Sequence, residues 1–206
     1  IADNTWTAFK GADALEIVWG EAPYPADTAA IMAQIDGALA AGGGAALREI
    51  GDVMTHFADA PRDRVVEATY SVPFLSHAAM EPMNATAQFK DGKLTVWSPN
   101  QGPTPTRYIC ASLTGLDQDD VTVHTTMMGG AFGRRGEVDF SAYAALIAMQ
   151  SDGKPVKVTW TREEDMTHDL YRPASSAKFM AVLGTDGLPI ALDGAIAAPS
   201  IMRSLM

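Results

Sequence analysis

One cysteine, Cys110, stands in 206 residues, so no disulfide closes within the chain. A thiolate metal site or an iron–sulfur centre cannot be built from it either. Basic residues are scarce: 15 Lys and Arg face 25 Asp and Glu, leaving a net charge of −10 and a pI near 4.7. A surface for nucleic acid or an anionic membrane needs the opposite balance. No apolar run approaches the roughly 18 residues of a membrane span, and the first residues lack the basic start and cleavage pattern of a signal peptide. His56, His77, His124 and His168 share no ligand-like spacing with each other or with carboxylates. Nor is there a nucleophile–base–orienter set with a local signature. Glu163-Glu164-Asp165 reads most cheaply as the solvated first turn of a helix, where acids favour the dipole.

What the chain does carry is Met127-Met128-Gly129-Gly130-Ala131-Phe132-Gly133-Arg134-Arg135-Gly136-Glu137. Residues 121–126 before it are β-branched and alternate as a half-buried strand. Residues 138–149 after it are apolar nearly all round, the mark of a buried helix. A glycine turn opening such a helix presents backbone N–H groups at the positive end of the dipole, which suits an anion. A tight turn with nothing bound explains the segment equally well. The common nucleotide motifs fail: Gly136 precedes Glu137 rather than the Lys of a P-loop, and the spacing is not that of a dinucleotide fingerprint. Phe132 inside the turn suggests packing against a flat cofactor or a substrate channel.

Two zones divide the chain. Residues 1–62 are rich in Ala and Gly, with a helix carrying Trp6, Phe9, Ala12 and Leu15 and a short strand at 16–19. A helix at 26–39 and a helical turn at 45–48 follow. Residues 63–206 are β-rich. Strands are expected at 65–70, at 85–89 paired with 93–97 across Asp91-Gly92, at 155–160, and at 176–183 paired with 188–197 across Asp186-Gly187. Helices at 104–116 and 137–150 interleave with them, and Cys110 reads as a small core residue on the first. The expected class is α+β, a mixed sheet with helices packed on it. The apolar ending Ile201-Met202-Arg203-Ser204-Leu205-Met206 and a start at Ile1 suggest a piece of a longer chain, with either self-association through its exposed ends or a disordered C-terminal tail expected.

Taken in order, the short motifs form a series. It runs Ser76-His77-Ala78-Ala79-Met80-Glu81-Pro82, then Leu94-Thr95-Val96-Trp97-Ser98-Pro99-Asn100-Gln101-Gly102-Pro103, residues 116–123 and the glycine loop. Gly153-Lys154-Pro155-Val156-Lys157, Thr161-Arg162-Glu163-Glu164-Asp165-Met166 and Arg172-Pro173 complete it. The series resembles the molybdenum-binding subunit of the xanthine oxidase, aldehyde oxidase and carbon monoxide dehydrogenase family, nearest to the large subunit of the isoquinoline 1-oxidoreductase type. The resemblance is strong over residues 64–183. It implies that residues 63–206 begin the molybdopterin-binding domain and that residues 1–62 are the end of a hammerhead-like region with its connector.

By the same resemblance, Gln101 matches the glutamine that hydrogen-bonds the metal's oxo ligand, and Gly130, Ala131, Phe132 and Gly133 match the turn facing the molybdenum–pterin group. Ala131 replaces a glycine common in the family, and Arg134 has no assigned role. Glu137 is carried as a substrate-orienting candidate, one residue out of register. The general-base glutamate is expected beyond Met206, so no catalytic residue and no direct metal ligand is expected here. The implied whole is a hydroxylase of N-heteroaromatics or aldehydes that takes oxygen from water. Its cofactor would be molybdopterin, the cytosine dinucleotide form included, expected to be absent from this piece alone. Its implied partners are a 2Fe–2S iron–sulfur subunit and a small-molecule substrate, with no nucleic acid. A different class of reading is a non-catalytic module that binds an anion or a partner at the glycine loop. Neither periplasm nor cytoplasm is marked by these residues.

Overall fold

The computed structural model describes residues 1–25 and 27–201. Its first half holds helices α1 (Thr5–Asp13), α2 (Thr28–Ala41) and α3 (Val53–Asp59), then strands β1 (Val65–Val72), β2 (Asn84–Lys90) and β3 (Lys93–Ser98). Next come α4 (Pro103–Thr114), β4 (Val121–Thr125), α5 (Asp139–Ala148), β5 (Val156–Thr159), α6 (Arg162–Thr167), β6 (Ser175–Leu183) and β7 (Pro189–Ala197). The class is α+β, as expected. Its strands divide between a four-stranded mixed sheet of order β4-β3-β2-β5 and a three-stranded antiparallel sheet of order β1-β6-β7. Two compact units result, one from Ile1–Ile17 and Ser76–Arg172, the other from Val18–Leu75 and the residues from Pro173 on.

The first unit carries the glycine loop. Asp91 and Gly92 both take positive φ, 53° and 78°, which lets β2 turn directly into β3 with Lys90 opposite Lys93. From β3 the chain crosses through α4 and returns as β4, parallel to β3. Pro103 opens α4 and Gly115 closes it at φ 73°, while Thr106, Cys110 and Ala111 form its buried stripe. Six residues of α5 are buried; its alanines let the helix lie close to the sheet around Phe140. Phe140, Leu94 and Val96 are wholly buried, and each side chain of that kind contributes about 1.5–3 kcal/mol. Cys110 sits in this core, where burial pushes its thiol up to about 11.

Because β2 runs antiparallel to both β3 and β5, the strands β3, β4 and β5 all point the same way. Their carboxyl ends and the approach to β2 therefore meet at one end of the sheet. A shallow cavity of about 580 Å³ lined by Phe89, Lys90, Asp91, Met149 and Lys154 lies at the β2–β3 turn, the other end.

In the second unit α2 packs on β6 and β7, with Ser176 Oγ donating to Asp36 and with Ile35, Val182 and Ala191 buried. The Asp186-Gly187 turn joins β6 and β7 as expected.

Several local expectations fail. Residues 16–19 form no strand, and Val18 and Trp19 are 96% and 81% exposed: a short apolar run without a pairing neighbour has no ladder to join. Helix α1 buries none of its residues. The helical turn at 45–48 is absent, and the unforeseen α3 follows instead, started by Asp52 accepting from Thr55 N–H at 3.1 Å. The expected helix start at residue 26 lies outside the described residues; α2 starts at Thr28 behind its cap Asp27, which accepts from Ala30 N–H at 2.7 Å. Residues 202–206 of the apolar ending lie outside the described residues. Among those described, no helix is long and apolar enough to cross a membrane.

Candidate functional site

Two loops leave the carboxyl ends of the parallel pair β3 and β4, which are joined there by Thr126 N–H donating to Ser98 O at 3.1 Å. Asn100, 2% exposed, pins the first loop: its Nδ2 donates to Ser98 O and Oγ at 3.1 and 3.2 Å and reaches Thr125 Oγ1 at 3.4 Å. Its Oδ1 is buried with no partner among the described residues. The next residue, Gln101, is exposed and donates its backbone N–H to Arg135 O at 2.8 Å. Gln101 and the glycine loop, 28 or more residues apart in sequence, are thus neighbours at the same sheet end.

The loop follows an unusual path. Gly130 and Gly133 have φ of 101° and 98°, and Phe132 between them has φ 54° and is 73% exposed. A left-handed aromatic residue is strained, by roughly 1–3 kcal/mol, and persists only where its surroundings fix it. Arg134 N–H donates to Ala131 O and Gly136 N–H to Gly133 O, both at 2.9 Å, closing the turn. The backbone N–H groups of Gly130, Ala131, Phe132 and Gly133 have no acceptor among the described residues.

Two buried arginines hold this loop. Arg135, whose side chain is 0% exposed, donates from Nε to Gly130 O at 2.8 Å and from Nη2 to Glu81 O and Oε2 at 2.7 and 2.9 Å. A longer bond runs from Nη1 to Pro99 O at 3.4 Å. Glu81 in turn accepts from Gly129 N–H at 2.9 Å and from Asn84 at 3.0 Å. Burial pushes the Glu81 carboxyl up, but the Gly129 N–H, the Asn84 amide and the Arg135 guanidinium together hold it below the usual range.

Arg134, also 0% exposed, faces elsewhere. It grips Asp139 through both Nη atoms at 2.9 and 2.7 Å and stands over the Trp160 ring at 5.5 Å. Its Nε lies 2.8 Å from Asp169 Oδ1 without a hydrogen-bonding direction, so that contact is Coulombic.

The residues expected at the site come together in part. Gln101 and the turn of Gly130, Ala131, Phe132 and Gly133 share the sheet end. Glu137 follows the loop, half-buried; burial pushes its carboxyl up, against the pull of Arg134 and with the push of Asp139. Glu163 and Glu164 are solvated as expected, whereas Asp165 is 2% exposed and paired with Arg162 at 2.6 Å. His124 stacks on Trp97 and His168 meets Trp160 edge-on. Among the described residues no three His, Cys, Asp or Glu side chains form a metal site. Glu81, Arg135 and Asp169 were not singled out from the sequence. The available signal was two consecutive arginines, beside a buried helix, in a chain poor in basic residues.

Fold and site together define a class: an α+β domain that offers unpaired backbone N–H groups and an exposed amide beyond the carboxyl ends of parallel strands. Residues 41–199 match the molybdopterin cofactor-binding domain, and the chain belongs to that family. It is 37% identical over 130 residues to the beta subunit of isoquinoline 1-oxidoreductase from Brevundimonas diminuta, covering 62% of this chain and 16% of that one. Against the xanthine dehydrogenase molybdenum-binding subunit of Escherichia coli O157:H7 the identity is 30% over 169 residues, 80% of this chain and 22% of the relative. The structure of the aldehyde oxidoreductase from Desulfovibrio gigas superposes with a TM-score of 0.65 at 26% identity, over 72% of this chain and 16% of that one. The domain is thus related to the molybdenum-binding subunits of the xanthine oxidase and aldehyde oxidoreductase group. It spans less than a quarter of the length of these relatives.

Proposed function

We propose that this chain is the part of a molybdenum hydroxylase's large subunit that grips the molybdopterin cofactor, with residues 1–62 as the end of a hammerhead-like region and residues 63–206 as the start of the binding domain. The observation that carries the reading is the convergence of Gln101 with four acceptor-free N–H groups at one sheet end, in a chain of the molybdopterin-binding family. A donor set without a metal ligand suits a metal that its own pterin holds. When bound, the cofactor supplies the redox chemistry, adding oxygen from water to a C–H carbon and removing two electrons.

This chain's residues bind and orient. Gln101 offers a neutral amide donor, which polarises an oxygen acceptor without adding charge. Gly130, Ala131, Phe132 and Gly133 supply main-chain donors, and the exposed Phe132 ring gives a flat apolar wall. Glu137, its proton held more tightly than usual, can accept from or donate to a substrate heteroatom. The general base lies outside this chain in this reading. The substrate is an N-heteroaromatic or an aldehyde; the identity to the isoquinoline 1-oxidoreductase subunit favours the former. The cofactor is molybdopterin, including its cytosine dinucleotide form, and a 2Fe–2S subunit receives the electrons. Glu81 counts against a free-anion site at this loop, since its carboxylate already occupies the Gly129 N–H.

The test is metal and pterin analysis of the full-length subunit purified with its partner, followed by Gln101→Ala. Molybdenum and pterin near one per subunit, with turnover slowed in the variant and molybdenum retained, support the reading. Wild-type protein that holds neither would sink it.

A further inference from the structure

Arg135 ties the glycine loop to its immediate neighbours, but Arg134 reaches to a carboxylate that comes much later in the chain. Asp169, with a side chain 1% exposed, gathers partners from both sides of the loop. Its Oδ2 accepts from Ser76 Oγ at 2.8 Å and from His77 N–H at 2.6 Å. Its two oxygens stand 3.2 and 3.1 Å from His77 Nδ1, and Oδ1 lies against Arg134 Nε at 2.8 Å. Withdrawing a carboxylate from water is costly unless its lone pairs are met, and the partners given above come from two segments. One is the loop's own exit. The other, residues 76–81, backs the loop directly: Glu81 N–H donates to Gly129 O at 3.0 Å, and a Cβ built on Gly130 would meet Ala79 at 3.4 Å.

Asp169 touches neither Gln101 nor the acceptor-free N–H groups. Its contacts instead fix the two sides between which the strained Phe132 turn is held. We infer that Asp169 is a positioning residue for the glycine loop: through Arg134 and through Ser76 and His77, it keeps residues 130–133 in the conformation that presents their N–H groups. The inference rests on the cofactor reading above for what those groups hold, though not for the loop's rigidity.

The test uses the full-length subunit with its partner and two variants. Asp169→Asn removes the charge at constant size, and Arg134→Lys keeps the charge but loses the Nε that faces Asp169, together with the fork on Asp139. Amide hydrogen exchange is followed at Arg134, Gly136 and Glu137, whose bonds close the loop, and in α5 and β3 as references; molybdenum and pterin contents are measured alongside. In both variants loop exchange should accelerate about tenfold or more, exchange in α5 and β3 should stay within about twofold of wild type, and cofactor content should fall severalfold. Unchanged loop exchange overturns the inference. So does acceleration that extends equally to α5 and β3, which would make Asp169 a core residue and nothing more. A loosened loop with full cofactor content overturns its role toward the cofactor. Wild-type protein without molybdenum defeats only the functional reading, because loop exchange still reports on Asp169.

Discussion

At the residue scale, two glycines of one loop are needed for different reasons. A Cβ on Gly133 would have open space, so Gly133→Ala suffers only from φ 98°, a cost on the order of 1–2 kcal/mol. Gly129 has no positive φ, but its Cβ would stand 2.6 Å from Glu81 Cβ, so Gly129→Ala must move the Glu81 segment, at roughly 1–3 kcal/mol. Urea unfolding should show both losses, and in a Glu81→Gly background, itself destabilised by loss of the Arg135 partner, the further cost of Gly129→Ala should shrink while that of Gly133→Ala should not. Glu137 makes a prediction of opposite sign. Its carboxyl is pushed up on folding, so the ionised form weakens the fold above the ordinary carboxylate range and the protonated form does not. Glu137→Gln should raise Tm slightly at pH 7 and leave it unchanged near pH 4. An equal effect at both pH values would show that burial of the charge is not the cause.

Among the elements, the β2–β3 hairpin and the β3–α4–β4 crossover were legible because their signals are local: Asp91-Gly92 takes positive φ, and α4 has proline at its start and glycine at its end. Helix α3 was not, since seven residues carry little periodicity and its start depends on the single cap at Asp52. The arginines that hold the site were hidden for a related reason. A charged side chain reads as solvated until its partners are known, and Glu81 precedes Arg135 by 54 residues. Arg135→Met should therefore destabilise the protein by roughly 1–3 kcal/mol, because it leaves the carbonyl oxygens of Gly130 and Glu81 without this donor and takes from the Glu81 carboxylate, still bonded to Gly129 N–H and Asn84, its charged partner. Adding Glu81→Gln should recover part of that loss in a double-mutant cycle. Strict additivity would mean the two do not act together.

For the whole molecule, Cys110 is a reporter of unfolding. Fully buried, with its thiol pushed up to about 11, it should resist a thiol reagent in native protein at pH 8 and react once urea unfolds the chain. Rapid labelling of native protein would contradict the core placement. Acid should act through Asp169 and Glu81. Burial raises both carboxyls, but for Asp169 the His77 N–H and Ser76 outweigh it, and for Glu81 the Gly129 N–H, Asn84 and Arg135 do, so both are depressed on folding. Depressed carboxyls contribute stability that is fully present above their unfolded range and is lost as pH falls through the folded values, below about pH 4. Asp169→Asn should remove part of that acid dependence, measured as Tm between pH 3 and 7.

The α+β class, the two hairpins and the buried helices 104–116 and 137–150 were decided by residues close in sequence, since periodicity, turn chemistry and capping act over a few positions. So was the glycine loop as a candidate. Tertiary structure decided that β1 leaves β2 and β3 to pair with β6, that β3 and β4 run side by side, and that Gln101 therefore meets Arg135. It turned an arginine doublet into two anchors: Asp139 is local to Arg134, but Asp169 and Glu81 reach the doublet only through the fold, and a buried charge is stable only beside partners.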